Sequence, residues 1–320
     1  MQSPLFNGVL LINKDADCTS HQMVQEVRKI LKQKSIGHAG TLDPMARGLL
    51  VVLCGSATKL SPYFLNQNKR YDLSLKFGLQ TDTLDFQGET LHSEDVSLKK
   101  EDVKRVLEQG ACDLEIPVPL FSAVKVKGQK LYSYAFKGKK IQPPMKKMSF
   151  FDLEIHEIQK DSACLSLSCS KGSYIRSWVN YLGQKMKTGA CLTGLKRVSS
   201  GEFKLKNSLT VSQLKQKVSQ QFPMDEQALK QRLGESFLFS SSALTQFPQI
   251  ELTARNAKLL KQGRMPLYVL SHAQKEQIAV NKGGQSQILK AVKGEKLLAL
   301  LELRPFEKIK ILRNFPQQSL

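Results

Sequence analysis

The sequence predicts a mixed α/β protein of the α+β kind, followed by a small β-rich unit. Three observations carry that prediction. Short apolar or alternating runs are interleaved with segments of helical period as far as residue 239. After the Ser-rich stretch 239–248 the texture shifts to short apolar runs punctuated by glycine. At 320 residues, 41% hydrophobic and 24% charged, the chain can bury a sizeable core and fill two domains. We expect these at 1–248 and 249–320.

Residues 8–13 read as a short apolar strand. A helix is expected over 19–32, because Thr19 and Gln22 have capping-box spacing and Val24, Val27 and Leu31 share one stripe. The run 49–54 reads as a buried strand, 57–65 as a helix, and alternation marks 71–77 as a strand. Helical spacing covers 98–108. Residues 153–158 and 163–169 alternate as a strand pair, and 175–187, 211–218 and 225–233 return to helical spacing. Beyond 248, one short helix (255–262) accompanies strands at 267–270, 277–280 and 297–303. The segment TDTLDFQGE (81–89) glances toward a calcium loop but lacks the D-x-[DN]-x-[DN]-G order, so a hairpin-like turn is expected.

Charge points to the partner. Forty-eight Lys and Arg against 28 Asp and Glu give +20, which favours a polyanion. The excess is clustered. Residues 116–151 hold eight lysines and no acid, with Phe121, Tyr132, Tyr134 and Phe136 interleaved, and 171–206 hold eight basic residues and one acid, Glu202. Phosphates would supply affinity and aromatic faces would stack unpaired bases. Six cysteines without a CxxC pair and five scattered histidines suggest reduced thiols and no metal. The longest apolar run, 49–54, is far short of the roughly 20 residues of a membrane helix. MQSPLFNGVLLINK lacks the basic and apolar regions of a secretory signal. A cytoplasmic location, with no membrane association, is the expectation.

The segment GHAGTLDPMARGLLVVLCGSATKL (37–60) sets Asp43 on a bend rich in glycine, directly before a buried strand. Glycine permits close backbone approach, and Pro44 biases Asp43 toward extended geometry. Alone, an Asp-Pro is most often a tight turn. Here it has company: Lys69-Arg70-Tyr71, Gly78-Leu79-Gln80-Thr81-Asp82-Thr83 with Asp85 and Gly88, Ser122-Ala123-Val124-Lys125, Lys171 to Arg176, and Arg197 with Gly201. In these segments and their order the chain resembles the bacterial tRNA pseudouridine-55 synthase family, the TruB type.

That resemblance implies a curved, mostly antiparallel sheet flanked by helices, with a basic cleft and a small PUA-like C-terminal domain. It implies isomerisation of the T-loop uridine of tRNA to pseudouridine, without cofactor or metal, by a monomer that needs no protein partner. It assigns Asp43 the catalytic carboxylate, acting at C1′, acting at C2′ or stabilising positive charge there; the residues do not choose among these. Tyr71 takes the stacking position against the flipped base, and Arg176 pairs with Asp43. His38, Tyr174 and Leu195 are expected around the nucleotide, and Lys14, Lys59, Lys125 and Lys171 at phosphates. Read alone, Tyr71 and Leu195 would be core, Arg176 a helix-start side chain meeting solvent, and His38 a loop hydrogen bond.

The chain departs from the family pattern at several positions. Asp15-Ala16-Asp17 follows Lys14 where Lys-Pro-x-Gly is usual, Phe136 replaces a common Arg, Tyr181 an Asp and Cys191 a His. A guide-RNA-dependent synthase, or an RNA-binding, tRNA-folding protein, stays open as an alternative.

Overall fold

The computed structural model describes residues 6–139, 141–219, 224–271, 286–305 and 307–315. After β1 (Gly8–Lys14), the Thr19 capping box starts α1 (Ser20–Leu31): Gln22 N donates to Thr19 Oγ1 at 3.1 Å, and Thr19 N to Gln22 Oε1 at 2.6 Å. β2 (Ile36–His38) and β3 (Arg47–Cys54) follow. The helix expected over 57–65 is instead a 3-10 turn, Gly55–Leu60, that passes into α2 (Ser61–Leu65), with Pro62 in its first turn. Next come β4 (Lys69–Phe77), β5 (Leu79–Thr81) and β6 (Thr90–Ser93), so 81–89 is the expected hairpin turn. The chain continues through α3 (Lys100–Gly110), β7 (Asp113–Pro117), β8 (Lys125–Val126), β9 (Gln129–Lys130) and α4 (Leu131–Ala135). β10 (Met145–Ile158), β11 (Ser162–Cys169), α5 (Ile175–Met186), β12 (Ala190–Ser200) and β13 (Phe203–Lys204) come next. α6 (Val211–Ser219), α7 (Glu226–Leu233) and β14 (Phe237–Phe239) then return to the first strand. Last come β15 (Gln249–Glu251), α8 (Ala254–Lys261), β16 (Gln287–Lys293), β17 (Lys296–Leu303) and β18 (Lys310–Asn314).

Among the described residues the main sheet runs β14-β1-β3-β12-β4-β11-β10-β7, with β2 on β3 and β13 on β12. Every pairing in it is antiparallel except β3 with β12, which meet in parallel only at Arg47–Lys196 and Gly48–Arg197. That junction positions the site. It sets the loop entering β3 beside the inward residues of β4 and β12.

Three apolar clusters hold the sheet. Leu10, Ile12, Leu50 and Val52 pack under α1, α6 and α7. Val9, Leu11, Val51 and Leu53, on the opposite face, share a cluster with Val292, Leu297 and Leu300 of the second sheet, β15-β16-β17-β18. Leu73, Leu75, Phe77, Leu165 and Leu167 pack against α3 and α5. None of the described helices is long and apolar enough to cross a membrane.

Residues 267–270, expected as a strand, are helical; Pro266 precedes the turn, and Leu270 N donates to its carbonyl at 3.1 Å. The strand expected at 277–280 lies outside the described residues. β12, an interior strand, carried no strand reading. Its register shifts at Leu192/Gly194 and Arg197/Ser199 break the period-two pattern by which a strand is read.

Candidate active site

Asp43 stands on the loop between β2 and β3. Gly40 on this loop and Gly48 at the start of β3 have φ of +104° and +101°, a region L side chains rarely adopt. A Cβ on Gly48 would lie 2.4 Å from the Arg197 carbonyl oxygen, so the β3–β12 junction requires glycine. Two buried cations fasten the loop from behind. Lys14 Nζ donates to the carbonyls of Asp15 (2.9 Å), Pro44 (3.1 Å) and Ala46 (2.6 Å). Arg197 donates to those of Leu49 (2.7 Å), Gly40 (3.0 Å) and Thr41 (3.4 Å). Ser20 Oγ accepts from Leu42 N at 2.9 Å.

The Asp43 carboxylate projects forward, 32% exposed, and meets Arg176, 4% exposed, from the first turn of α5. Arg176 Nε donates to Oδ2 and Nη2 to Oδ1, both at 2.9 Å. Its other hydrogen bonds run to the carbonyls of Thr83 (2.9 Å) and Phe121 (3.0 Å). The guanidinium is therefore held in one orientation, and it fixes the carboxylate bidentately. Asp85 Oδ2 lies 3.7 Å from Arg176 Nε. Burial raises the Asp85 carboxyl, against the pull of Thr83 Oγ1 and the Arg176 charge.

A cleft of about 490 Å³ opens beside this pair. Tyr71, Leu195, Tyr174 and Tyr132 are among its walls. Tyr71 pairs with Leu167 on one side and Arg197 on the other; burial pushes its phenol up to about 12, so it stays protonated at neutral pH. Burial also raises the Tyr174 phenol, and Lys146 Nζ stands 5.8 Å from the Tyr174 ring centroid. Lys69 lies in the same wall, where burial and then Arg197 push it down to about 8; its Nζ donates to Leu65 O at 2.7 Å. The arrangement offers a fixed carboxylate beside a cleft whose walls include several aromatic side chains.

Asp43, Arg176, Tyr71, Tyr174 and Leu195 thus come together around one cleft. Lys14 corrects an expectation. Its side chain is fully buried and its donors are spent on the Asp43 loop, so it does not meet phosphate. Lys59 is exposed but turned to the second sheet, where Nζ donates to Asn314 O at 3.1 Å and sits 5.9 Å from the Phe315 ring. His38 closes β2 outside the walls of the cleft; burial, then Arg197 and His21, lower its imidazole. Lys125 and Lys171 are exposed, on the β8–β9 hairpin and on the turn before α5. Sequence reasoning assigned no role to Lys69, Asp85 or Arg197. All three were visible only as parts of the family pattern.

Residues 28–175 match the TruB family pseudouridylate synthase N-terminal domain. The chain is 37% identical over 304 residues to the tRNA pseudouridine synthase B of Bdellovibrio bacteriovorus, covering 94% of each. It is 32% identical over 277 residues to the Vibrio campbellii protein of that name, 87% of this chain and 88% of that one. Among solved structures, a chain of a Cbf5–Nop10–Gar1 complex superposes with a TM-score of 0.65 at 18% identity, covering 95% of this chain and 82% of that one. At that identity the likeness speaks for the fold, and it is the fold the sequence predicts. Relatives matched along nearly their whole length decide the rest: the chain belongs to the TruB family of pseudouridylate synthases.

Proposed function

We propose that this pseudouridine synthase acts on tRNA, converting uridine 55 of the T loop, with Asp43 as the one carboxylate that works at the sugar. The observation that carries the reading is the Arg176–Asp43 clasp at the mouth of a cleft walled by Tyr71, Tyr174 and Leu195. Curated relatives named tRNA pseudouridine synthase B support the substrate class.

The reaction breaks C1′–N1, turns the uracil, joins C5 to C1′ and releases the C5 proton, with no change of redox state. It needs a carboxylate at the sugar, at C1′ or C2′, and a slot that retains the free base. Arg176 holds the Asp43 oxygens in one direction, which limits the reorganisation needed at the reacting centre. A protonated Tyr71 offers its ring face to the base. The target lies inside folded RNA, so the nucleotide is flipped into the cleft, with His38 at the gap it leaves. Lys125 and Lys171 supply phosphate contacts, and the second sheet serves as an accessory RNA-binding domain of PUA type.

Purified protein is mixed with an unmodified tRNA transcript carrying tritium at C5 of uridine. Stoichiometric tritium release, with pseudouridine mapped to position 55, is expected without added RNA or protein. Release only when a guide RNA or second protein is added would overturn the stand-alone reading.

A further inference from the structure

Phe136 caps the C-terminal end of α4, in the acid-free run 116–151, and is 79% exposed, more than any other described phenylalanine. Single exposed apolar side chains are common and need no explanation. This one differs in being braced. Its ring stands nearly perpendicular to Phe121 (centroids 5.7 Å apart, 89°) and at 75° to Tyr132 (6.3 Å). Both neighbours line the Asp43 cleft, and the Phe121 carbonyl accepts from Arg176 Nη2. Phe121 also forms part of a second groove of about 780 Å³, whose lining includes Gln80, Leu84, Lys139 and Gln142.

The surroundings have the opposite sign to a phosphate backbone. Lys125, Lys127, Lys130, Lys137 and Lys139 are near neighbours of the three rings in sequence, and no acid lies between residues 116 and 151. Lys130 Nζ sits 5.3 Å from the Tyr132 ring centroid and donates to its hydroxyl at 3.3 Å. Aromatic faces among cations are what an unpaired nucleotide strand recognises, whatever its bases. An apolar protein partner would gain nothing from a lysine-rich run without a single acid.

From this geometry we propose that Phe136 is a stacking platform for an unpaired base of the RNA substrate, beside the nucleotide that enters the Asp43 cleft. The inference rests on the proposed RNA substrate. The base lies on the exposed ring and its phosphates run toward Lys137 and Lys139. Phe121 joins the platform to the cleft, so the flanking base helps set the register of the flipped one.

The test uses an unmodified T-arm hairpin, with affinity read by fluorescence anisotropy in an Asp43→Asn background that blocks turnover. Phe136→Ala should weaken binding about five- to a hundredfold, the range for loss of one base–aromatic stack. Phe136→Tyr and Phe136→Trp should stay close to the parent, while Phe136→Lys should not rescue. The slope of log affinity against log salt should be the same in Phe136→Ala, because stacking releases no counterions. An abasic nucleotide at one loop position should weaken the parent to the same level and add nothing to Phe136→Ala. A hairpin that the parent binds and wild type converts, with affinity indifferent to Phe136→Ala, overturns this inference alone. So does a loss equally large on every abasic hairpin. A parent protein that binds no hairpin overturns the functional reading and the platform with it.

Discussion

Asp43 and Arg176 form a bidentate ion pair at the cleft, and the groups around it let a catalytic role be separated by experiment from a structural one. Replacing Asp43 with Asn keeps the shape but removes the charge and one of the two acceptors that face Arg176. Tritium release should fall to background while tRNA affinity and the unfolding midpoint change little, because many phosphate contacts carry affinity. Loss of binding together with activity would make Asp43 a structural residue. Lys14 should behave in the opposite way. Its Nζ satisfies two carbonyls just after Asp43, those of Pro44 and Ala46, from within the core. Lys14→Met leaves those carbonyls unpaired and should cost about 1–3 kcal/mol of stability by chemical denaturation. It should also lower the turnover rate, yet leave the salt dependence of tRNA binding as it was. A flattened salt slope would return Lys14 to the RNA interface. Asp17 shows how a departure from the family pattern is absorbed: it adopts φ +59° where the pattern has glycine, a conformation aspartate tolerates better than most residues. Its carboxylate accepts from Gln87 Nε2 at 2.7 Å.

Between elements, the parallel contact of β3 with β12 is the narrowest joint in the sheet. Gly48 and the Arg197 backbone meet there. Gly48→Ala demands both a strained φ and a shift of Arg197, and should destabilise the protein by about 2 kcal/mol or more. A melting temperature indistinguishable from wild type, given at most about 2–4 °C per kcal/mol for a chain this long, would show that the joint yields. α7 carries a pH dependence. Burial pushes Glu226, its first residue, up to about 7 from 4.5, with hydrogen bonds involving Asn7 opposing the rise. The folded state then binds more protons than the unfolded one between those values. Stability contributed here is present at low pH and is lost as pH rises toward about 7. Glu226→Gln cannot ionise, so its urea midpoint relative to wild type should move upward between about pH 5 and pH 8. An unchanged difference would place this carboxylate in solvent.

For the whole molecule, net charge of +20 concentrated in 116–151 and 171–206 acts as a field rather than as a set of bonds. Affinity for tRNA should fall linearly on a log–log salt plot, with a slope of about −0.9 per phosphate neutralised on duplex and about −0.7 on single strand. Lys125→Ala should flatten that slope by up to about one unit without regard to base identity, whereas Asp43→Asn should not alter it. A Lys137→Ala, Lys139→Ala double variant with unchanged affinity and slope would mark that run as a solvated face and shift the RNA path toward Lys171. Lys59 is expected to contribute less, since it already holds the seam to the second sheet.

Features with local causes were legible in the chain alone. The α1 capping box, the buried run within β3, the hairpin turn of 81–89 and the carboxylate on its Gly/Pro loop each follow from residues close together in the chain. The family pattern then located Asp43, Tyr71 and Arg176. What depends on distant partners needed the folded chain. Lys14 and Lys59 are ordinary lysines in sequence, and their partners lie 32 and 255 residues away. β12 was illegible because bulges interrupt its alternation, and the segment after Pro266 turned helical against its apolar composition. Asp43 and Arg176 are 133 positions apart, and nothing local in the sequence signals their 2.9 Å contact. That contact exists because the β3–β12–β4 junction brings the loop before β3 against the start of α5, and burial leaves the guanidinium no other orientation.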